Sequence, residues 1–234
     1  LAEPVPSETT GTLGELAASL GIVIVASLFE RRAAGIYHNT AVVMDTDGSL
    51  AGRYRKMHVP DDPGYCEKYY FTPGDLGFSA IQTSLGKLGV LVCWDQWFPE
   101  AARLMALDGA EILLYPTAIG WDDTATSATR SLELEAWLTI QRAHAISNCL
   151  PVMACNRTGF EPREPDSTAG IRFWGNSCII GPQGEILVQA DSDAPATLVA
   201  DIDLSQSGEL RTVWPFFRDR RIDAYGELLK RYRS

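Results

Sequence analysis

With 234 residues, 46% of them hydrophobic, the chain can enclose one sizeable core, and no linker-like stretch divides it, so one domain over residues 1–234 is expected. A formal charge of −10 and a pI near 4.8 disfavour nucleic acid and anionic membranes as partners. No apolar run approaches the roughly 20 residues that a membrane span requires.

In chain order, the opening Leu1-Ala2-Glu3-Pro4 reads as the middle of a loop, with no basic-then-apolar leader, so a preceding segment is expected. Leu13, Leu16, Ala17 and Leu20 share a helical face, and Gly21 stands at its end, which predicts a short amphipathic helix over 12–20. Ile22 to Phe29 reads as a buried strand. Tyr37 to Met44 and Ser49 to Lys56 flank Asp45-Thr46-Asp47-Gly48 as a hairpin. Period-two alternation in its second arm puts Leu50, Gly52, Tyr54 and Lys56 on the inward face. Lysine is ordinarily a solvated surface charge, so an inward Lys56 needs a reason. From His58 to Phe78 runs a loop rich in Pro, Gly, Asp and Tyr, too long for a simple connection and so a candidate to line a site. Glu67 lies in its middle, where a surface ion pair is the ordinary reading.

Leu88 to Val92 is a short, uncharged, β-branched run, Pro99 and Glu100 open a helix over Ala101 to Asp108, Gly109 stops it, and Glu111 to Pro116 is another buried strand. That order predicts a strand-helix-strand unit of the parallel kind. Cys93 then stands at a strand's carboxyl end on the turn into a helix, where α/β sheets place reactive groups and where a helix N-terminus would favour the thiolate. An inert, packed cysteine is the competing reading.

Thr117 to Thr129 is a loop at a strand end and carries Trp121, Asp122 and Asp123. A long helix follows over 130–148, in which His144 reads as a packed core histidine. Leu150 to Cys155 is a strand, 177–180 and 185–189 form a second hairpin, and Thr197 to Ile202 is a further strand. The basic, aromatic tail over 213–234 would not leave Trp214, Phe216 and Phe217 in water and reads as a docking segment.

The five cysteines at 66, 93, 149, 155 and 178 are odd in number and show no Cys-x-x-Cys spacing, which fits a reducing cytoplasm. His38, His58 and His144 lack zinc-ligand spacing, and neither a phosphate loop nor a Gly-x-Ser-x-Gly elbow occurs, so no metal and no cofactor is expected.

Three runs carry a resemblance: Gly52-Arg53-Tyr54-Arg55-Lys56-Met57-His58, Glu67-Lys68-Tyr69-Tyr70-Phe71-Thr72-Pro73-Gly74-Asp75, and Gly89 to Arg103 around Cys93-Trp94-Asp95-Gln96-Trp97. Together they resemble the nitrilase, or carbon-nitrogen hydrolase, superfamily, and the likeness runs essentially end to end. Within it, Lys56 to Gly120 is most similar to the N-carbamoylputrescine amidase branch. The resemblance implies a four-layer αββα sandwich, here lacking its first strand and helix, that pairs into a homo-oligomer, and a Glu-Lys-Cys triad. Cys93 matches the nucleophile, Lys56 the lysine, and Glu67 a second glutamate that helps hold the site. The general-base glutamate is expected upstream of Leu1.

The implied reaction is amidohydrolysis of a small cationic ureido or amide substrate through a covalent cysteine intermediate, with Lys56 and the backbone N–H of Trp94 as oxyanion donors. A substrate ammonium wants a carboxylate among aromatic walls, which points to Asp122, with Trp97, Trp121 and Tyr65 as the walls. Asp122 reads equally as a loop acid. Asp95 reads as a structural anchor of the turn. Other superfamily substrates, β-ureido acids or ω-amides, would instead call for an arginine in the distal pocket. A non-catalytic assembly subunit is the reading outside the enzymes.

Overall fold

A computed structural model of the chain describes residues 1–62, 64–122 and 124–233. Asp123, expected beside Asp122, lies outside the described residues, as do Pro63 and Ser234.

Helix α1 (Glu8–Leu20) starts earlier than its apolar face suggests, because Ser7 and Thr10 cap it reciprocally, each side chain bonded to the other's N–H, and it ends at Gly21 with φ 63. Strands β1 (Ile24–Ala33), β2 (Ile36–Met44) and β3 (Leu50–Arg55) then form an antiparallel sheet in sequence order. Alternation along β2 sends Ala41 and Val43 into the main core with Tyr54, and leaves Val42 and Met44 buried on the opposite face, toward α1. There a Cβ at Gly14 would stand 2.5 Å from the Gly48 carbonyl oxygen and 3.2 Å from Met44, so only glycine admits the contact.

Next come β4 (Ile81–Thr83), β5 (Gly86–Val90), α2 (Pro99–Leu107), β6 (Ile112–Thr117), β7 (Gly120–Asp122), α3 (Ser127–Asn148), β8 (Val152–Asn156), β9 (Phe160–Pro162), β10 (Gly170–Phe173), β11 (Cys178–Ile180), β12 (Ile186–Gln189) and α4 (Ser205–Val213). Six of these strands make one sheet in the order β12-β11-β8-β6-β5-β4, with β5, β6 and β8 parallel and the others antiparallel. Its Val90, Leu91, Val92 and Tyr115 share one core cluster with Ala41, Val43 and Tyr54 of the first sheet and with Met105 and Trp137 of α2 and α3. The layers are therefore α1, the three-stranded sheet, the six-stranded sheet, and α2 with α3, the αββα sandwich expected.

One expectation needs correction. Residues 197–202 join no strand ladder; Ala200 and Ile202 instead line a small cavity together with Leu88, Ile112 and Met153 of the large sheet. The tail divides in two: Phe217 packs on the core with Arg103 and Arg211 each 4.6 Å from its ring centre, whereas Trp214, Ile222, Leu229 and Tyr232 face outward.

Candidate active site

The strand-helix-strand unit is present, with β5 parallel to β6 and α2 between them in sequence. Val90, Leu91 and Val92 bring the backbone up through the core, and Cys93 opens a 3-10 turn, Cys93–Trp97. Its φ is 46, a left-handed value that a residue with a Cβ adopts at a cost of about 1–3 kcal/mol and that clusters at functional sites. The helix proper starts only at Pro99. A helix N-terminus therefore does not set the thiol. Burial, the largest influence, pushes the Cys93 thiol up, against the opposing pull of the Lys56 charge and the Ala118 N–H. A thiol attacks as the thiolate, so a base that takes its proton makes the nucleophile.

Lys56 follows directly on β3 and its side chain is fully buried. Its Nζ donates to both oxygens of Glu67 at 2.8 Å, and Asn39 donates weakly to the same carboxylate at 3.4 Å. The reason for the inward lysine is thus a bidentate carboxylate partner. Arg55, on the face expected to point outward, is buried as well, since Glu30 of β1 takes two of its hydrogen bonds at 2.8 and 2.6 Å. Arg55 passes a further hydrogen bond to Asp75 at 2.8 Å, and Arg32 also pairs with Asp75. Thr72 bonds back to Tyr37 and His38, and Gly74 to the Lys56 carbonyl. Together these bonds fasten the far end of the Glu67 loop onto β2 and β3.

Cys93 opens on a cavity of about 750 Å³. Tyr65, Trp94, Trp97 and Asp122 line it, and the Tyr65 hydroxyl accepts from the Gly120 N–H at 2.8 Å. Trp121 does not line it. Strand alternation turns the Trp121 ring into the core against Trp174, centroids 6.0 Å apart, while its neighbours Gly120 and Asp122 face the cavity. Asp122 is also ion-paired with Arg163. Two further carboxylates line the cavity, Asp62 and Glu133. No local pattern singles out Asp62; Glu133 lies one helical turn beyond Thr129, which also faces the cavity, a periodicity legible only once that face is known. Among the described residues lining the cavity there is no lysine or arginine.

A second cavity, about 580 Å³, reaches Cys93 from another side and is lined by Asn39, Glu67, Thr117, Cys155 and Asn156 among others. No group of three metal-binding side chains occurs among the described residues, and no described helix is long and apolar enough to cross a membrane.

The sequence profile described as carbon-nitrogen hydrolase matches residues 1–212. The chain belongs to this family. As a carbon-nitrogen hydrolase it is 46% identical over 222 residues to the N-carbamoylputrescine amidase of Arabidopsis thaliana, a match covering 94% of this chain and 73% of that one. It is 44% identical over 217 residues to the citrullinase of Francisella tularensis, covering 93% and 73% respectively. A crystal structure of a carbon-nitrogen hydrolase from Helicobacter pylori superposes with a TM-score of 0.93 at 55% identity, covering 97% of this chain and 77% of that one. The protein is thus a hydrolase of carbon-nitrogen bonds, and its fold is shared with the Helicobacter pylori hydrolase.

Proposed function

We propose that this carbon-nitrogen hydrolase cleaves the carbamoyl group of N-carbamoylputrescine, giving putrescine, ammonia and carbon dioxide. The observation that carries the reading is the charge of the cavity wall: Asp62 and Glu133, beside the Asp122–Arg163 ion pair and with no lysine or arginine among the described lining residues, an environment suited to a substrate whose free end is an ammonium. Identities of 46–47% to plant N-carbamoylputrescine amidases support the same substrate.

In this reading the Cys93 sulfur attacks the carbamoyl carbon as its proton passes to a general base. Lys56 and the Trp94 N–H hold the oxyanion, each such donor contributing about 10²–10³ in rate. Collapse expels the protonated putrescine amine and leaves a carbamoyl thioester on Cys93. Water, deprotonated by the same base, adds to that carbonyl and expels the thiol; the carbamic acid released decomposes to ammonia and carbon dioxide. Glu67 and Asp95, whose charges reach Cys93, are each committed to other donors. The resemblance implies a further glutamate as the general base, and the second cavity against Cys93 leaves room for a side chain beside the thiol.

Five free cysteines fit a cytoplasmic setting. Leu104, Leu107 and Leu132 are exposed on α2 and α3, and with the outward residues of 213–234 they fit docking of a second copy into a homo-oligomer, to be checked by light scattering.

The test is ammonia release from N-carbamoylputrescine by the intact protein beside Cys93→Ala. Release that the variant abolishes supports the reading; a folded protein that releases none overturns it. Arg163, paired with Asp122 beside the cavity, favours a second reading, a ureido amino acid bearing both ammonium and carboxylate. Turnover of citrulline that Arg163→Ala removes would select it.

A further inference from the structure

We propose that Asp95 is a positioning residue that fixes the spacing between Lys56 and Cys93 by tying both of their backbones to one buried carboxylate. The inference rests on the reading of these two residues as catalytic. It does not depend on the substrate.

Lys56 and Cys93 belong to different sheets, Lys56 at the end of β3 and Cys93 beyond the end of β5. No hydrogen bond runs directly between them among the described residues. Asp95 is fully buried and lines neither cavity that reaches Cys93. Its Oδ2 accepts from the Tyr54 hydroxyl and from the Val92 N–H, both at 2.9 Å. Its Oδ1 accepts from the His58 N–H at 3.0 Å and lies 2.7 Å from His58 Nδ1, which carries a proton in the tautomer that a carboxylate selects. The Tyr54 hydroxyl also accepts from the Met57 N–H at 3.3 Å. Donors at 54 and 58 thus bracket Lys56, and Val92 with Asp95 itself brackets Cys93. His58 is held flat against Phe98, centroids 3.7 Å apart, and stacks toward Phe78 on the other side. Four donors fill the acceptor sites of the two oxygens, so neither segment can shift without breaking a buried hydrogen bond.

The groups whose charge or dipole reaches the Cys93 thiol are Lys56, Glu67, Asp95 and the Ala118 N–H, and the Tyr65 hydroxyl lies on the same cavity wall. This makes the rate of Cys93 alkylation against pH a direct reading of where Lys56 stands, and the direction of change separates two roles. Were Asp95 to act through its charge alone, Asp95→Asn would lower the pH midpoint of alkylation. As a tie, its loss lets Lys56 drift away and raises that midpoint.

The experiment follows iodoacetamide labelling of Cys93 by peptide mass spectrometry across pH in Asp95→Asn, Tyr54→Phe and His58→Leu, with folding checked by circular dichroism. Tyr54→Phe and His58→Leu each delete one tie and keep the carboxylate, so they decide the matter even if Asp95→Asn does not fold. Each is expected to raise the midpoint and, wherever a substrate is turned over, to lower kcat by about 10- to 100-fold with KM within about twofold, the effect of an ångström-scale misplacement. His58→Asn, whose amide can donate to the same oxygen, should recover much of the loss. A midpoint unchanged or lowered in folded Tyr54→Phe and His58→Leu would overturn the proposal. Failure to hydrolyse N-carbamoylputrescine would leave the alkylation result standing.

Discussion

Glu67→Gln tests the most tightly coupled contact in the site. The Lys56 ammonium, fully buried, sits 2.8 Å from both Glu67 oxygens, and the Glu67 side chain is 20% exposed. Removing one partner of a buried ion pair costs about 3–5 kcal/mol, because the charge left behind is uncompensated. Water reaches Glu67 and glutamine keeps one acceptor oxygen, so the expected loss is lower, about 2–3 kcal/mol, or roughly 30- to 150-fold in the folding equilibrium. Urea titration would measure it. A glutamine cannot hold Nζ through two oxygens, and kcat should fall by about 10²-fold as Lys56 leaves the position that Glu67 gives it. A stability change within the range of surface pairs, under about 1 kcal/mol, with kcat unchanged, would refute the view that Glu67 holds Lys56.

Glu30→Gln should destabilise by about 3 kcal/mol, since Arg55 is buried and Asp75 is its remaining partner. Burial alone would raise the Glu30 carboxyl, but hydrogen bonds from Arg55 and Thr40 outweigh it and hold the group below its ordinary 4.5. Its contribution is therefore present above pH 4.5 and lost as pH falls through the lowered value, so the gap between wild type and variant in thermal melts should close in acid. Gly120→Ala would place a Cβ 2.5 Å from the Arg172 carbonyl oxygen and 2.7 Å from the Phe173 Cα, backbone that cannot yield within the β7–β10 pair. It should cost about 1–3 kcal/mol in urea and raise KM, as Tyr65 loses its donor. Asp122→Asn should raise KM for N-carbamoylputrescine by about 10-fold, the worth of one charge-assisted contact, with kcat within a few-fold; an unchanged KM would move recognition of the ammonium to Asp62 or Glu133.

Much of the sandwich is legible in the sequence because its signals are local: the Asp45 to Gly48 turn, the two hairpins, and the strand, helix and strand around Cys93. Lys56 is legible from alternation alone. Arg55 is not, because its burial depends on Glu30, a residue of another strand whose partner no local pattern announces. The small sheet of β7, β9 and β10 escapes for a related reason. Phe160–Pro162 is exposed throughout and carries no apolar alternation, so only the ladder with Gly170–Phe173 reveals it. Trp121 and Asp122 show the limit at the site: both can be assigned to one loop, but which of them faces the cavity is decided by the pleat of a three-residue strand. The cap formed by Ser7 and Thr10 is the opposite case, a local signal that extends α1 by four residues ahead of its apolar face.

Lys56 and Cys93 come from opposite sheets of the sandwich. The proposed catalytic pair therefore straddles the seam between the halves, and its alignment depends on how firmly the two are pressed together. Loosening the seam by gentle heating, pressure or a shaved core side chain would disable chemistry while every helix and ladder is still intact. Turnover in this molecule is then a finer gauge of interior tightness than any spectroscopic measure of secondary structure, and it should fade first along any path toward unfolding.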